Sequence, residues 1–215
     1  MSPLDLLQSG QILAFVLLGI AIIEAIALHE YAHALVADIQ GDRLPRAMGR
    51  LSLNPVRHLD PLGTILIFIV GFGWGKPVEF RPQAFTSQRF GSALVALAGP
   101  GMNLLLAFLG ALVFGVVRTT VPEFVLQFLV LFAAINVVLA VFNLIPIPPL
   151  DGSRLLTIFL PPNKQQIIFF LDRYGFLILL ALLFFGRAAF LFPVIEWATH
   201  AIFSLAGSSD LFTNP

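Results

Sequence analysis

The sequence predicts an all-α polytopic membrane protein, with about five to six transmembrane or partly inserted helices and a short re-entrant, extended segment near residues 62–80. Three observations predict it. The 215 residues are 58% hydrophobic and only 11% charged, with a mean hydropathy of +0.94, whereas soluble domains carry roughly 25% charged residues. The apolar residues fall in runs long enough to cross a hydrocarbon core. The Lys and Arg residues gather in some of the intervening loops and avoid others, as membrane topology requires. The same composition excludes other classes. The net charge of zero offers no basic patch for nucleic acid, and the absence of Cys rules out disulfides, thiolate metal sites and cysteine nucleophiles.

The first apolar run, Gln11–Leu28, continues its helical pattern to Ile39, and Gly41 is a stop signal. Ala25-Ile26-Ala27 resembles a signal-peptide cleavage site. Met1–Gly10, however, has no Lys or Arg and carries Asp5, so the run is expected to stay in the chain as a span. Glu24, mid-run, is rotated well away from His29 on a helical wheel and reads as structural. Gly41–Pro61 is a polar loop with Arg43, Arg46, Arg50 and Arg57. Leu62–Val70 is apolar but about half the ~20 residues of a span, and Gly71–Phe80 is Gly-rich, so the pair is expected to be partly inserted and then extended. Gly91–Val117 is a second span with small residues near its start, which allow close helix packing. Glu123–Leu144 is a third. Pro146, Pro148 and Pro149 then forbid regular helix, so the backbone unwinds before Asp151-Gly152. Gln165–Gly186, interrupted by Asp172-Arg173, and Ala188–Leu205 are two further apolar segments.

Orientation follows from charge. Seven basic residues from Arg43 to Arg89 precede the second span, Arg154 and Lys164 follow the third, and Arg118 alone lies between the two. Basic loops are cytoplasmic, so the first span runs outside to inside and the third returns inside. His33 and Asp151 are thereby expected at one membrane depth on the cytosolic side.

His29-Glu30-Tyr31-Ala32-His33 reads H-E-x-x-H. On a helix the two imidazoles are one turn apart on one face and can bind one Zn²⁺, with the Glu between them as general base. A catalytic zinc takes three protein ligands and leaves a position for water, whose pKa it lowers to about 7. Asp151, a carboxylate on an unwound segment at membrane depth, is the best third ligand. Glu30 would take a proton and pass it to the leaving amine. Asn103 and Asn143, amides in apolar spans, are the candidate oxyanion donors, although interhelical hydrogen bonding explains each of them as well. Three ionisable groups in one turn of an apolar helix are expensive without a function. His58 is read as an interfacial side chain, with a cavity or proton-relay role as the alternative, and Glu196 and His200 as a surface pair.

Three blocks resemble the site-2 protease family of intramembrane zinc metalloproteases, peptidase family M50: His29–His33, Gly99-Pro100-Gly101-Met102-Asn103, and Asn143 through Gly152. Gly49–Gly63 is similar to the compact prokaryotic branch. The resemblance implies that His29, His33 and Asp151 bind one zinc ion, that Glu30 is the catalytic acid/base, and that Gly99 and Asn103 match the family's G-x-x-x-N block. It implies a single membrane-embedded metalloprotease domain over residues 1–215, with a catalytic core at about 10–160 and accessory C-terminal helices at about 165–206. Many members add a PDZ or CBS domain, for which 215 residues leave no room.

The expected activity is hydrolysis of a peptide bond in or near a transmembrane helix of a membrane-protein substrate, close to the cytosolic face of a prokaryotic plasma membrane. Gly71–Phe80 is expected to hold the unwound substrate by strand addition, and Arg50, Asn54 and Asp60 to border a water channel. Two other classes fit the ligands: a metal-stabilised scaffold or receptor for transmembrane helices, against which Glu30 argues, and a metal transporter, which would spread ligands along several helices.

Overall fold

The structure, a computed structural model, describes residues 3–71, 73–159, 165–185 and 191–208. Helices α1 (Pro3–Gln8), α2 (Ile12–Ile39), α3 (Leu44–Ala47), α4 (Pro61–Val70), α5 (Gln88–Val117), α6 (Glu123–Asn143), α7 (Gly152–Phe159), α8 (Gln165–Phe185) and α9 (Leu191–Leu205) follow in order. Among the described residues α2, α5 and α6 are long and apolar enough to cross a membrane. The 28 residues of α2 extend about 42 Å at 1.5 Å each, more than a ~30 Å hydrocarbon core. The sequence places their ends within three residues; α5 begins at Gln88 rather than Gly91.

These three helices pack on one another through alanines. Ala25, Ala32, Ala93, Ala96, Ala107, Ala111, Ala133 and Ala140 are all buried. Lipid tails are as apolar as Leu, so large side chains gain little by turning inward, whereas small ones let backbones close to van der Waals contact. Ala107, Ala111, Phe114, Ala133, Val137 and Phe203 form one cluster. It draws α9 onto α5 and α6, with Phe114 and Phe203 edge to face at 5.9 Å. A second cluster, Ile22, Ile26 and Ile67, seats α4 against α2.

The described residues of 62–80 form a short apolar helix followed by non-helical chain, as the sequence leads one to expect. The first half is the helix α4, held by Pro61 at its first position and by Asp60, whose Oδ1 accepts the Gly63 N–H at 2.8 Å; Gly71 ends it at φ 80°. The second half contains no strand among its described residues and makes one bridge, Leu59 with Gly75. Its path is set by close approach. A Cβ on Gly63 would lie 2.1 Å from the Trp74 carbonyl oxygen, and one on Gly73 would lie 2.0 Å from that of Gly63. The chain therefore lies on the start of α4 instead of pairing in register with a neighbour.

The basic loop beyond α2 is tied down by carboxylates. Asp38 meets Arg43 at 3.0 Å and Arg46 at 2.7 Å. Asp42, fully buried, accepts from the Arg81 backbone at 2.5 Å and from its Nε and Nη2 at 3.0 and 2.8 Å, fixing the end of the extended segment to the end of α2. Burial alone would push the Asp42 carboxyl up. The Arg81 bonds, with one from the Leu44 N–H, more than offset this and hold its pKa below the ordinary value.

Candidate active site

Helix α2 puts His29 and His33 on one face, and the turn after α6 delivers Asp151 to them. His29 Nε2 and His33 Nε2 are 3.0 Å apart, and Asp151 Oδ2 lies 3.1 and 3.2 Å from them. Their other ring nitrogens fix the tautomers. His29 Nδ1 donates to Asn103 Oδ1 at 2.6 Å and His33 Nδ1 to the Val95 carbonyl at 2.7 Å, because these oxygens only accept. Both Nε2 lone pairs then point at a carboxylate oxygen that is buried and has no hydrogen-bond donor. Three acceptors converging in this way repel one another unless a cation lies between them.

The donor set fits zinc. Two imidazoles and one carboxylate match a catalytic zinc site with an open position, and the spacing approaches the edge of about 3.3 Å expected for tetrahedral ligands at about 2.0–2.1 Å. Among the described residues this is the group of His, Asp and Glu side chains able to hold a metal ion. The orienting bonds from Asn103 and Val95 are the outer contacts that fix a ligating histidine.

Glycine makes the arrangement possible at two points. A Cβ on Gly99 would stand 2.4 Å from His33 Nε2 and 2.5 Å from His29 Cε1, so α5 passes directly beneath the two rings. A Cβ on Gly152 would stand 2.3 Å from the Leu144 carbonyl oxygen and 2.5 Å from that of Ile145. The chain thus folds back on the end of α6, and this turn sets the position of Asp151.

Glu30, between the two histidines on α2, faces Arg50 and the segment after α4. Its Oε2 is 3.8 Å from Arg50 Nη2, and a Cβ on Gly75 would lie 3.4 Å from its Oε1. Arg50 is 2% exposed. Its guanidinium donates to the carbonyls of Arg57 and Lys76, so it joins the loop before α4 to the extended segment after it, beside Glu30. Arg50 is therefore a buried clamp rather than the border of a water channel. Asn54 and Asp60 act as caps, Asn54 Oδ1 accepting the Val56 N–H at 3.1 Å and Asp60 that of Gly63.

The two asparagines fare differently. Asn103 is fully buried beside His29, but its amide protons go to Asn136 Oδ1 at 2.8 Å and the Ala25 carbonyl at 3.2 Å. With both donors engaged, it orients His29 and has none left for an oxyanion. Asn143 donates to the Leu139 carbonyl of its own helix at 3.0 Å, not to the triad or Glu30. Asn136, which the sequence reading missed, holds Asn103 in place while its own amide donates to the Phe132 carbonyl at 2.9 Å. Its signal was the same as for Asn143, an amide within an apolar span.

His58 corrects the interfacial reading. It is fully buried, with Nε2 donating to the Ser52 carbonyl at 2.6 Å. Burial lowers its pKa, the Ser52 carbonyl pulls the other way, and the nearby Arg50 charge lowers it again, which favours the neutral ring. Glu196 and His200 are both exposed on α9.

The sequence profile of Peptidase family M50 matches residues 113–184, a stretch that includes Asp151. A candidate zinc metalloprotease of Bacillus subtilis (strain 168), YwhC, is 37% identical over 87% of this chain and 90% of its own. The similarly described Rip2 of Mycolicibacterium smegmatis is 32% identical over 79% of this chain and 67% of its own, and Rip2 of Mycobacterium tuberculosis (strain H37Rv) is 31% identical over 86% and 72%. No solved structure matches the chain. Similarity to YwhC extends over nearly the whole of both chains, and the chain belongs to peptidase family M50.

Proposed function

We propose that this zinc metallopeptidase hydrolyses a peptide bond in or beside a transmembrane segment of a membrane-protein substrate, close to the cytosolic face of a prokaryotic plasma membrane. The observation that carries the reading is the position of the H-E-x-x-H turn. It is not on a surface helix but within α2, one of the membrane-length helices, with both histidines buried against α5. The basic loops on the side where α2 ends and α6 delivers Asp151 support a cytosolic location.

His29, His33 and Asp151 would hold the zinc ion. When bound, zinc supplies a Lewis acid that polarises the scissile carbonyl and makes a water nucleophilic at neutral pH. Glu30 takes the proton from the attacking water and returns it to the amine nitrogen as the C–N bond breaks. Gly99 lets α5 pass in contact with both imidazoles, which a side chain there would push off the shared position of their Nε2 atoms. A helical substrate shields its peptide bonds and must unwind first. The segment Val78-Glu79-Phe80 is neither helix nor strand and pairs in no ladder among the described residues, which supports strand addition by an unwound partner.

The test compares purified wild type with Glu30→Gln on a panel of tagged transmembrane helices. Cutting by the wild type alone, abolished by a zinc chelator and reduced about 10²–10⁴-fold in the variant, is expected. Equal cutting by both would overturn the role of Glu30. No cutting by either, with one zinc still bound per chain, would favour the scaffold. If Pro substitutions along Val78–Phe80 leave cleavage unchanged, strand addition there is wrong.

A further inference from the structure

Helix α8 turns one seam toward the rest of the protein. Ile168 and Leu171 are half-buried and Gly175 and Leu179 are buried, whereas Phe169, Phe170, Tyr174, Phe176 and Leu177 are exposed. The sheltered positions recur every three or four residues, the spacing of one helix face. That face meets the turn that carries Asp151. A Cβ on Gly175 would stand 2.6 Å from the Pro148 carbonyl oxygen and 3.0 Å from both Cβ and Cδ of Pro148. Ile168, Leu171 and Asp172 line one small space together with Pro148, Ser153 and Leu156. The backbone of α8 therefore lies directly on Pro148, three positions before the metal ligand in the chain.

The turn is stiff enough to transmit this contact. The Leu150 N–H donates to the Ile147 carbonyl at 3.0 Å, and the Leu150 carbonyl accepts from the Ser153 N–H at 3.1 Å and from its Oγ at 2.7 Å. The Arg154 N–H donates to the Asp151 carbonyl at 2.9 Å. Asp151 sits inside this bonded unit, and Pro146, Pro148 and Pro149 restrict its backbone further. On one side Gly152 rests on the Leu144 and Ile145 carbonyls at the end of α6; on the other, Gly175 of α8 rests on Pro148. A methyl at Gly175 would drive the Pro148 carbonyl back by about 0.8 Å to reach ordinary contact at 3.4 Å. That is several times the roughly 0.2 Å tolerance of a zinc–ligand distance.

We propose that Gly175 is a positioning residue of the zinc site: its bare backbone seats α8 against Pro148 and thereby sets Asp151 at the distance from His29 and His33 that a shared zinc ion needs. The contact serves the metal and not the substrate, so its test does not depend on which bond is cut.

Zinc affinity is measured on the full-length protein in detergent by competition with a metal-chelating dye, and ligand geometry by the visible absorption of the cobalt-substituted protein. Gly175→Ala should weaken zinc affinity about tenfold, as loss of support to a metal ligand does, and should alter the cobalt spectrum. Ala is the better helix former, so the substitution does not weaken α8 itself. Phe176→Ala, on the exposed side of α8, should change neither readout. In an Asp151→Ala background, where the two histidines remain, Gly175→Ala should change the residual affinity by less than about twofold, because it acts through Asp151. Leu171→Ala withdraws a side chain from the space beside Pro148 instead of adding one. It should weaken zinc affinity by a smaller factor with the same dependence on Asp151, and it decides the question if Gly175→Ala does not fold. Wild-type affinity and cobalt spectrum in these variants would overturn the role of Gly175. Equal losses with and without Asp151 would also overturn it, since the contact would then be general packing.

Discussion

At the scale of single residues, the site depends on groups that touch no substrate. Asn103 fixes the His29 tautomer through one bond and is itself fixed by Asn136 and Ala25. Replacing it with Ala should weaken zinc affinity about 10–100-fold, the usual effect of removing a bond to a ligating histidine, as read by competition with a metal-chelating dye. Asn143→Ala should leave zinc affinity unchanged, because among the described residues that amide bonds its own helix and not the histidines or Asp151. Arg50 poses a different case. It carries a buried charge beside Glu30 and bridges two backbone carbonyls with one planar fork, which a Lys ammonium cannot span. Arg50→Lys should lower kcat while zinc stoichiometry stays at wild type. An unchanged kcat would mean that the clamp does not position Glu30 or the segment beside it. The sequence pointed to Asn103 but not to its role, since the direction of an amide bond depends on what stands opposite.

At the scale of elements, a membrane-length helix is specified by its own composition, whereas the irregular segments are specified by contacts. The spans were legible because each needs only about 20 apolar residues to satisfy its backbone within itself. Residues 71–81 were legible only as extended chain. Their course depends on Gly63 and Gly73 meeting backbone to backbone, and on Arg50 and Asp42 holding the two ends. The turn that presents Asp151 behaves likewise. Three prolines predict that α6 must end, but the close approach of Gly152 to the Leu144 carbonyl decides where the carboxylate points. Gly152→Ala should therefore displace Asp151 and lower zinc content and activity together, while α6 and the rest of the helical signal in circular dichroism stay as in wild type.

At the scale of the whole molecule, three alanine-lined spans form the frame and α9 closes one side of it through Phe203. Outside the spans, Asp42–Arg81 joins the end of α2 to the end of the segment that follows α4. The folded-state pKa of Asp42 is lowered, so its stabilisation is fully present above its unfolded value, roughly 3.9, and is lost as pH falls through the folded value. Thermal unfolding in detergent should show wild type losing stability below about pH 4. Asp42→Asn should be less stable at pH 7 by about 1–3 kcal/mol, the range for a buried charge-assisted bond, and flatter in this acid range. Equal pH profiles would show that the pair does not contribute to folding.

The sequence by itself determined the spans, the membrane setting and the trio His29, His33 and Asp151 that the structure brings together. These follow from local quantities: the length of an apolar run, the 3.6-residue period that aligns His29 with His33, and the proline cluster that unwinds the chain before Asp151. The tertiary structure alone decided which amide supports which ring, and that Arg50 and His58 are buried. The reason is physical. Local pattern fixes what a segment can bury, but the partner of a buried polar group is set by whatever another helix brings to the same depth, and no periodicity in either helix records that meeting.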